Sequence, residues 1–164
     1  MRYLTGVFNV IPLKIWIALL LFIIQGLPIM GWFYDHGVAP NLLVLYLILL
    51  AFYDGIAAGL LWGLLFGLLI DLSSGIHFIN TIILPVLGLG IGVFKNDIFR
   101  GDPIIAVLVA AVGTAVWTGG YYFFAIVVFN EPMFFHPGKV LFLILLHGLI
   151  TPLLARIFSI RFQT

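Results

Sequence analysis

Hydrophobic residues run along this chain in long unbroken stretches, with polar and charged positions gathered in short clusters between them. Uncharged stretches cover Ile15–Tyr34, Gly37–Tyr53, Gly55–Ile70, Leu72–Phe94, Pro103–Asn130 and Val140–Ala155. A helix that crosses a bilayer needs about 20 apolar residues to traverse a hydrocarbon core of roughly 30 Å. The pattern therefore predicts helices that span a membrane. Its ambiguous interval is Asn41 to Leu72, which reads either as two short helices with a turn at Asp54-Gly55 or as one long tilted helix.

The placement of basic residues decides between these. Lys and Arg concentrate in cytoplasmic loops close to span ends. With six spans and the N-terminus inside, Arg2, Lys14, Lys95, Arg100, Arg156 and Arg161 are cytoplasmic and Lys139 is outside. With five spans, Lys95, Arg100, Arg156 and Arg161 move outside and the bias disappears. The sequence thus predicts an all-α integral membrane protein, a six-helix transmembrane bundle forming one polytopic domain over residues 1–164, with both termini cytoplasmic. The second and third helices are short, which calls for local thinning of the bilayer, burial against neighbours or an incomplete crossing. The fifth stretch is longer than needed, and its Tyr121-Tyr122-Phe123-Phe124 end suits the outer interface, where aromatic rings prefer to lie. The longest polar segments, Lys95–Pro103 and Asn130–Lys139, leave no room for a soluble domain.

Composition agrees. Of the 164 residues, 64% are hydrophobic and 8% charged, and the mean hydropathy is +1.29. Soluble domains carry roughly 25% charged residues, and a small domain has too much surface to hide so much apolar material. A net charge of +1 without a basic run gives no case for nucleic acid. The absence of cysteine excludes disulfides and thiolate metal sites.

Within the oiliest region, "DGIAAGLLWGLLFGLLIDLSSG", glycines recur every four residues: Gly55, Gly59, Gly63 and Gly67, followed at the same step by Asp71 and Gly75. Lipid tails are as apolar as Leu, so helices in a bilayer associate largely through close van der Waals contact, which small residues permit. The glycines should clear one ridge for another backbone, in intramolecular packing or on a surface for another membrane protein. Gly88 and Gly92 repeat the spacing. Each four-residue step drifts by roughly 40° on a helix of 3.6 residues per turn, so one straight partner should not follow the whole series. That places the third helix near the bundle centre.

Asp71 ends the series. A carboxylate near membrane depth is costly and usually finds a partner or water. It reads as a helix end at the headgroups, or as a structural acceptor for a neighbouring helix or for the turn before His77, with Ser73, Ser74 and Gly75 serving free backbone groups. Ion or proton handling is the alternative, but no second intramembrane carboxylate accompanies it. His147, beside Gly148 and ahead of Thr151-Pro152, reads as a buried, hydrogen-bonded histidine, with a functional proton site as its alternative.

Other motifs dissolve on inspection. Asp54-Gly55, Ala58 and Gly67-xxx-Asp71 faintly resemble the CDP-alcohol phosphotransferase signature, yet Ala51, Gly59 and Gly75 stand where two Asp and an Arg are required. Two carboxylates are too few for a divalent cation that wants many oxygen ligands. Gly88-Leu89-Gly90-Ile91-Gly92 follows Pro85 inside an apolar span instead of a strand, so it lacks the context of a phosphate loop. No Ser, His and acid arrangement argues nucleophilic catalysis. Catalytic, metal and cofactor sites are accordingly not expected. In the external Glu131–Pro137 segment, Phe134 and Phe135 read either as an interfacial dip or as a docking site, since Met and aromatics are enriched at contact cores.

Pro40-Asn41-Leu42-Leu43, the Gly59…Gly63…Gly67 series, Asp71-Leu72-Ser73-Ser74-Gly75 and the Gly88-rich fourth span together resemble the MreD family of rod shape-determining membrane proteins. The distinctive part covers residues 40 to 92. His77-Phe78-Ile79-Asn80 departs from the family, which often carries Gly shortly after its Asp-containing turn. The resemblance implies a non-enzymatic scaffold of the bacterial cytoplasmic membrane. Its implied partners are an MreC-like single-span protein, MreB, RodA and a class B penicillin-binding transpeptidase of the peptidoglycan elongation complex. The family's spans also resemble substrate-binding subunits of energy-coupling-factor vitamin transporters, which supplies a rival function. Those subunits dock through Ala-xxx-Ala in the first helix, whereas Ile15–Ile24 holds only Ala18.

Overall fold

The computed structural model describes residues 2–27, 40–74, 78–94, 102–130 and 136–161. Among these the chain is all-helical, with no strand. Six helices follow in order: α1 (Arg2–Gln25), α2 (Leu42–Asp54), α3 (Ile56–Ser74), α4 (Ile79–Val93), α5 (Pro103–Phe123) and α6 (Pro137–Arg161). A π-helical turn, Phe124–Val128, prolongs α5. Three segments, Ile56–Ser74, Ile104–Val128 and Pro137–Arg156, are long and apolar enough to cross a membrane. Leu13–Gln25, Leu42–Asp54 and Ile79–Val93 are shorter apolar helices.

Local chemistry sets several ends. Asn41 Oδ1 accepts from the Val44 amide at 3.2 Å and starts α2, as expected of an N-cap side chain. Asp102 does the same for α5, accepting from the Ile104 amide at 2.8 Å, with Pro103 as the first helical residue. The interval Asn41–Leu72 is two helices, and the joint is Gly55 at φ 96°, a value that glycine adopts without Cβ strain. The chain folds back there. Ala51 faces Gly59, and the Tyr46 and Phe66 rings lie 5.9 Å apart.

α2 is the core of the molecule. All eleven residues from Leu42 to Phe52 are buried, and α2 touches each of the other five helices. A helix that is hydrophobic all round belongs in such a position. At 13 residues and about 1.5 Å per residue it is far shorter than a bilayer core. Of the three accommodations expected for a short helix, burial against neighbours is the one observed. This corrects the expectation that the glycine-bearing helix is central. On α3 the glycines face inward, while Leu60, Leu61, Leu64, Leu65 and Leu72 are exposed. Apolar exposure continues around the outside, through Trp16, Val86, Val112 and Leu149, which suits a lipid solvent.

α1 joins α2 through Lys14 Nζ and Asp54 Oδ2 at 2.8 Å and through the Tyr46 hydroxyl, which donates to the Lys14 carbonyl at 3.1 Å. The pair is only partly buried. Replacing Asp54 with Asn is expected to cost about 1 kcal/mol, the upper range for partly exposed ion pairs, read as a small drop in the thermal midpoint in detergent.

Candidate functional site

The chemistry-bearing residues converge where α3 leads into α4. The glycine series forms a seam with α4 in which backbone meets backbone. A methyl group on Gly59 would collide with the Gly88 carbonyl, and one on Gly88 with the Gly59 carbonyl. On Gly63 it would lie 2.6 Å from the Leu84 oxygen and 2.7 Å from Pro85 Cα. On Gly67 it would lie 2.6 Å from the Asn80 oxygen, and on Gly92 2.6 Å from Ile56 Cα. All are closer than a real Cβ tolerates.

One helix therefore follows the series from Gly59 to Gly67, contrary to the drift argument. The contacts on α4 also advance in fours, through Gly92, Gly88, Leu84 and Asn80. When both helices use their four-residue ridges, the two rows incline alike and the crossing absorbs the drift. Gly55 is not part of the helical ridge. It is the joint before α3, with its carbonyl carbon 2.7 Å from where a Gly92 methyl would sit.

Asp71 closes the seam. Its Oδ1 accepts from the Asn80 amide at 3.2 Å and from Asn80 Nδ2 at 2.9 Å. Its Oδ2 accepts from the Thr81 amide and hydroxyl, both at 2.7 Å. The α4 cap residue, Phe78, makes no side-chain cap bond of its own. A carboxylate on α3 thus caps α4 and takes the first-turn amides that no carbonyl of α4 can reach. The positive end of the helix dipole favours that charge. Of the two structural readings of Asp71, the bond to a neighbouring helix is the one observed. Asn80 then accepts from Trp117 Nε1 at 3.0 Å, so a continuous polar path links α3, α4 and α5. Asp71 and Asn80 are 3% and 4% exposed, and each of their side-chain oxygens accepts at least one hydrogen bond.

Sequence reasoning missed Asn80 and Trp117. The available signal was a lone Asn nine residues after Asp71, at the start of the next apolar run. Ser73 is exposed and donates to the Ile70 carbonyl at 2.9 Å, and Ser74 donates to the Asp71 carbonyl at 3.3 Å. Both hydroxyls donate back to backbone carbonyls in the last turn of α3. Gly75, Phe134 and Phe135 lie outside the described residues.

His147 is fully buried. Its Nδ1 is 2.7 Å from Thr114 Oγ1, joining α6 to α5 away from the Asp71 node. Around it, Thr118 donates to the Thr114 carbonyl at 2.8 Å and Thr151 to the His147 carbonyl at 2.7 Å. Among the described residues no group of three or more His, Cys, Asp or Glu is placed to hold a metal ion.

Comparison with protein-family models, with curated proteins and with solved structures finds no match to this chain.

Proposed function

We propose that this protein is a non-enzymatic membrane scaffold of the MreD type. It would bind an MreC-like single-span protein and organise the elongation complex of MreB, RodA and a class B penicillin-binding transpeptidase that sets rod cell shape. The observation that carries this reading is the fate of the residues behind the resemblance. Asn41, Gly59, Gly63, Gly67, Asp71 and Gly88 are all engaged in fixing helices to one another. A carboxylate whose oxygens already accept four bonds serves architecture. A rigid hairpin with a leucine-rich outer face suits a protein whose work is to present surfaces to other membrane chains and to lipid.

The proposed location is the bacterial cytoplasmic membrane, with six passes and both termini inside. One contact supports this arrangement. Lys14 at the start of the first apolar run meets Asp54 at the end of the second, and both lie on the cytoplasmic side of the proposed topology. Phe134 and Phe135 are the proposed external contact positions.

Purification of the tagged chain from its native membranes in mild detergent tests the reading. An MreC-like protein and elongation-complex members are expected among the co-purifying chains. Recovery of an ATPase pair with a transmembrane coupling subunit, or of a tightly held vitamin, would replace the scaffold with a transporter subunit. Ala18, whose small side chain would be needed on a docking face, is instead buried in the core, which weighs against that outcome. In parallel, Asp97→Cys should react only from the cytoplasm and Phe134→Cys only from outside; labelling of both from one side refutes the topology.

A further inference from the structure

His147 carries a polar atom that neither packing nor the Asp71 node explains. Its Nε2 is buried and has no hydrogen-bond partner, on a helix pair whose other buried residues include Ala106, Ala110 and Leu143. Buried polar groups are almost always partnered, by protein or by ordered water, so this nitrogen points to an occupant.

The hydrogen bonds around it fix what that occupant must be. A neutral imidazole has one N–H and one acceptor nitrogen. Thr118 and Thr151 hand their hydroxyl protons to carbonyls one turn back. Thr114 has no such bond, and His147 Nδ1 is its one side-chain partner. If Nδ1 carried the proton and donated to Thr114, the Thr114 hydroxyl proton and the Nε2 lone pair would both be stranded. If Thr114 donates to Nδ1, only an Nε2–H is left over. The second arrangement strands one group instead of two. The occupant must then supply an acceptor to Nε2–H. One residue along, Pro152 lacks the amide that would bond the Gly148 carbonyl in a helix, which leaves a backbone acceptor in the same turn.

We infer that His147 is held as the Nε2–H tautomer and binds an internal water at the α5–α6 seam, with Nε2–H donating to the water oxygen and the Gly148 carbonyl assigned as the second polar partner that an internal water needs. The position lies within both helices, away from the ends where lipid headgroups reach, so water is the small acceptor available there. The inference does not depend on the scaffold reading and holds for a transporter subunit equally.

Solid-state nitrogen NMR on the full chain in lipid tests it. Nitrogen-labelled histidine is introduced into a variant with His36, His77 and His136 replaced by Gln, leaving His147 as the single reporter. The expected spectrum shows a protonated Nε2, an unprotonated Nδ1 and a magnetisation-transfer peak from non-exchangeable water to the Nε2 proton. Thr114→Val should then convert the single tautomer into a mixture. A protonated Nδ1, an imidazolium, or a protonated Nε2 without water contact would each overturn the inference. If the triple variant does not fold, the same spectrum is taken on the unaltered sequence, with the His147 signals assigned through their contacts to Thr114.

Discussion

Gly59→Ala is expected to loosen the α3–α4 hairpin as strongly as any single methyl group added to this protein. The new carbon would meet the Gly88 carbonyl, and on its other side it would lie 3.0 Å from Ala51 Cβ. A flexible side chain could swing away from such an intrusion. A backbone carbonyl in the middle of a helix cannot, so α3 and α4 must separate. Separation spreads along the seam, because Gly63 and Gly67 hold the same close distance to Leu84, Pro85 and Asn80. Overpacking costs typically 1–3 kcal/mol; a clash of this kind belongs at the top of that range, about 3 kcal/mol. Gly88→Ala should behave alike from the other side.

Gly90→Ala is the control. It lies on the same helix, two residues on, with no atom within 4 Å of the added methyl. Replacing a mid-helix glycine there should leave stability unchanged or raise it by roughly 0.5–1 kcal/mol. Thermal midpoints in one detergent separate the two cases: a drop of several degrees for Gly59→Ala and Gly88→Ala, none for Gly90→Ala. Equal behaviour of all three would mean that the seam is not the contact on which the hairpin depends.

This seam also marks how far the sequence could be read. The glycine spacing was visible because a contact between backbones leaves its trace as missing side chains at fixed steps. Gly88 and Gly92 repeat the step, but nothing in that repeat alone says that the two rows meet. Centrality was not visible either. α2 consists almost wholly of Leu, Ile, Val and aromatic residues, and such a run looks the same whether it faces lipid or protein. Hydropathy cannot separate those environments when the solvent is itself oil. The expectation therefore gave the centre to the helix with the distinctive pattern, whereas the structure gives it to the featureless one. Helix ends show a similar division. Asn41, Gly55 and Asp102-Pro103 announce boundaries through cap and joint chemistry. The start of α4 carries no such residue, because its cap is Asp71, on the preceding helix. Pairings such as Asp71–Asn80 and Thr114–His147 depend on the approach of different helices, and one sequence does not encode that approach in any local pattern.

Asp71→Asn tests the other half of the hairpin, and its expected effect is as large. The substitution keeps size and shape but exchanges one acceptor oxygen for an amino group. Four donors surround the native carboxylate, two on each oxygen, so an amide in either orientation sets its NH2 against two of them. Facing Thr81, it strands the Thr81 amide, although the hydroxyl can rotate to accept. Facing Asn80, it strands the Asn80 amide and presses the Asn80 side chain to flip, which would remove the oxygen that Trp117 Nε1 uses. Either way a buried first-turn amide of α4 loses its partner. A stranded buried donor costs roughly 1–3 kcal/mol and a lost bond to a charged group about 1.5–3 kcal/mol. These overlap in one site, so a net loss of about 3 kcal/mol is expected. Ser73→Ala, at an exposed neighbour, should stay within about 0.5 kcal/mol. Hydrogen exchange locates the damage: the amides of Asn80 and Thr81 should lose protection in Asp71→Asn, while those around Thr114 and His147 keep theirs. Unchanged protection at the start of α4 would show that the carboxylate is not what holds that end, and the hairpin would then rest on its glycines alone.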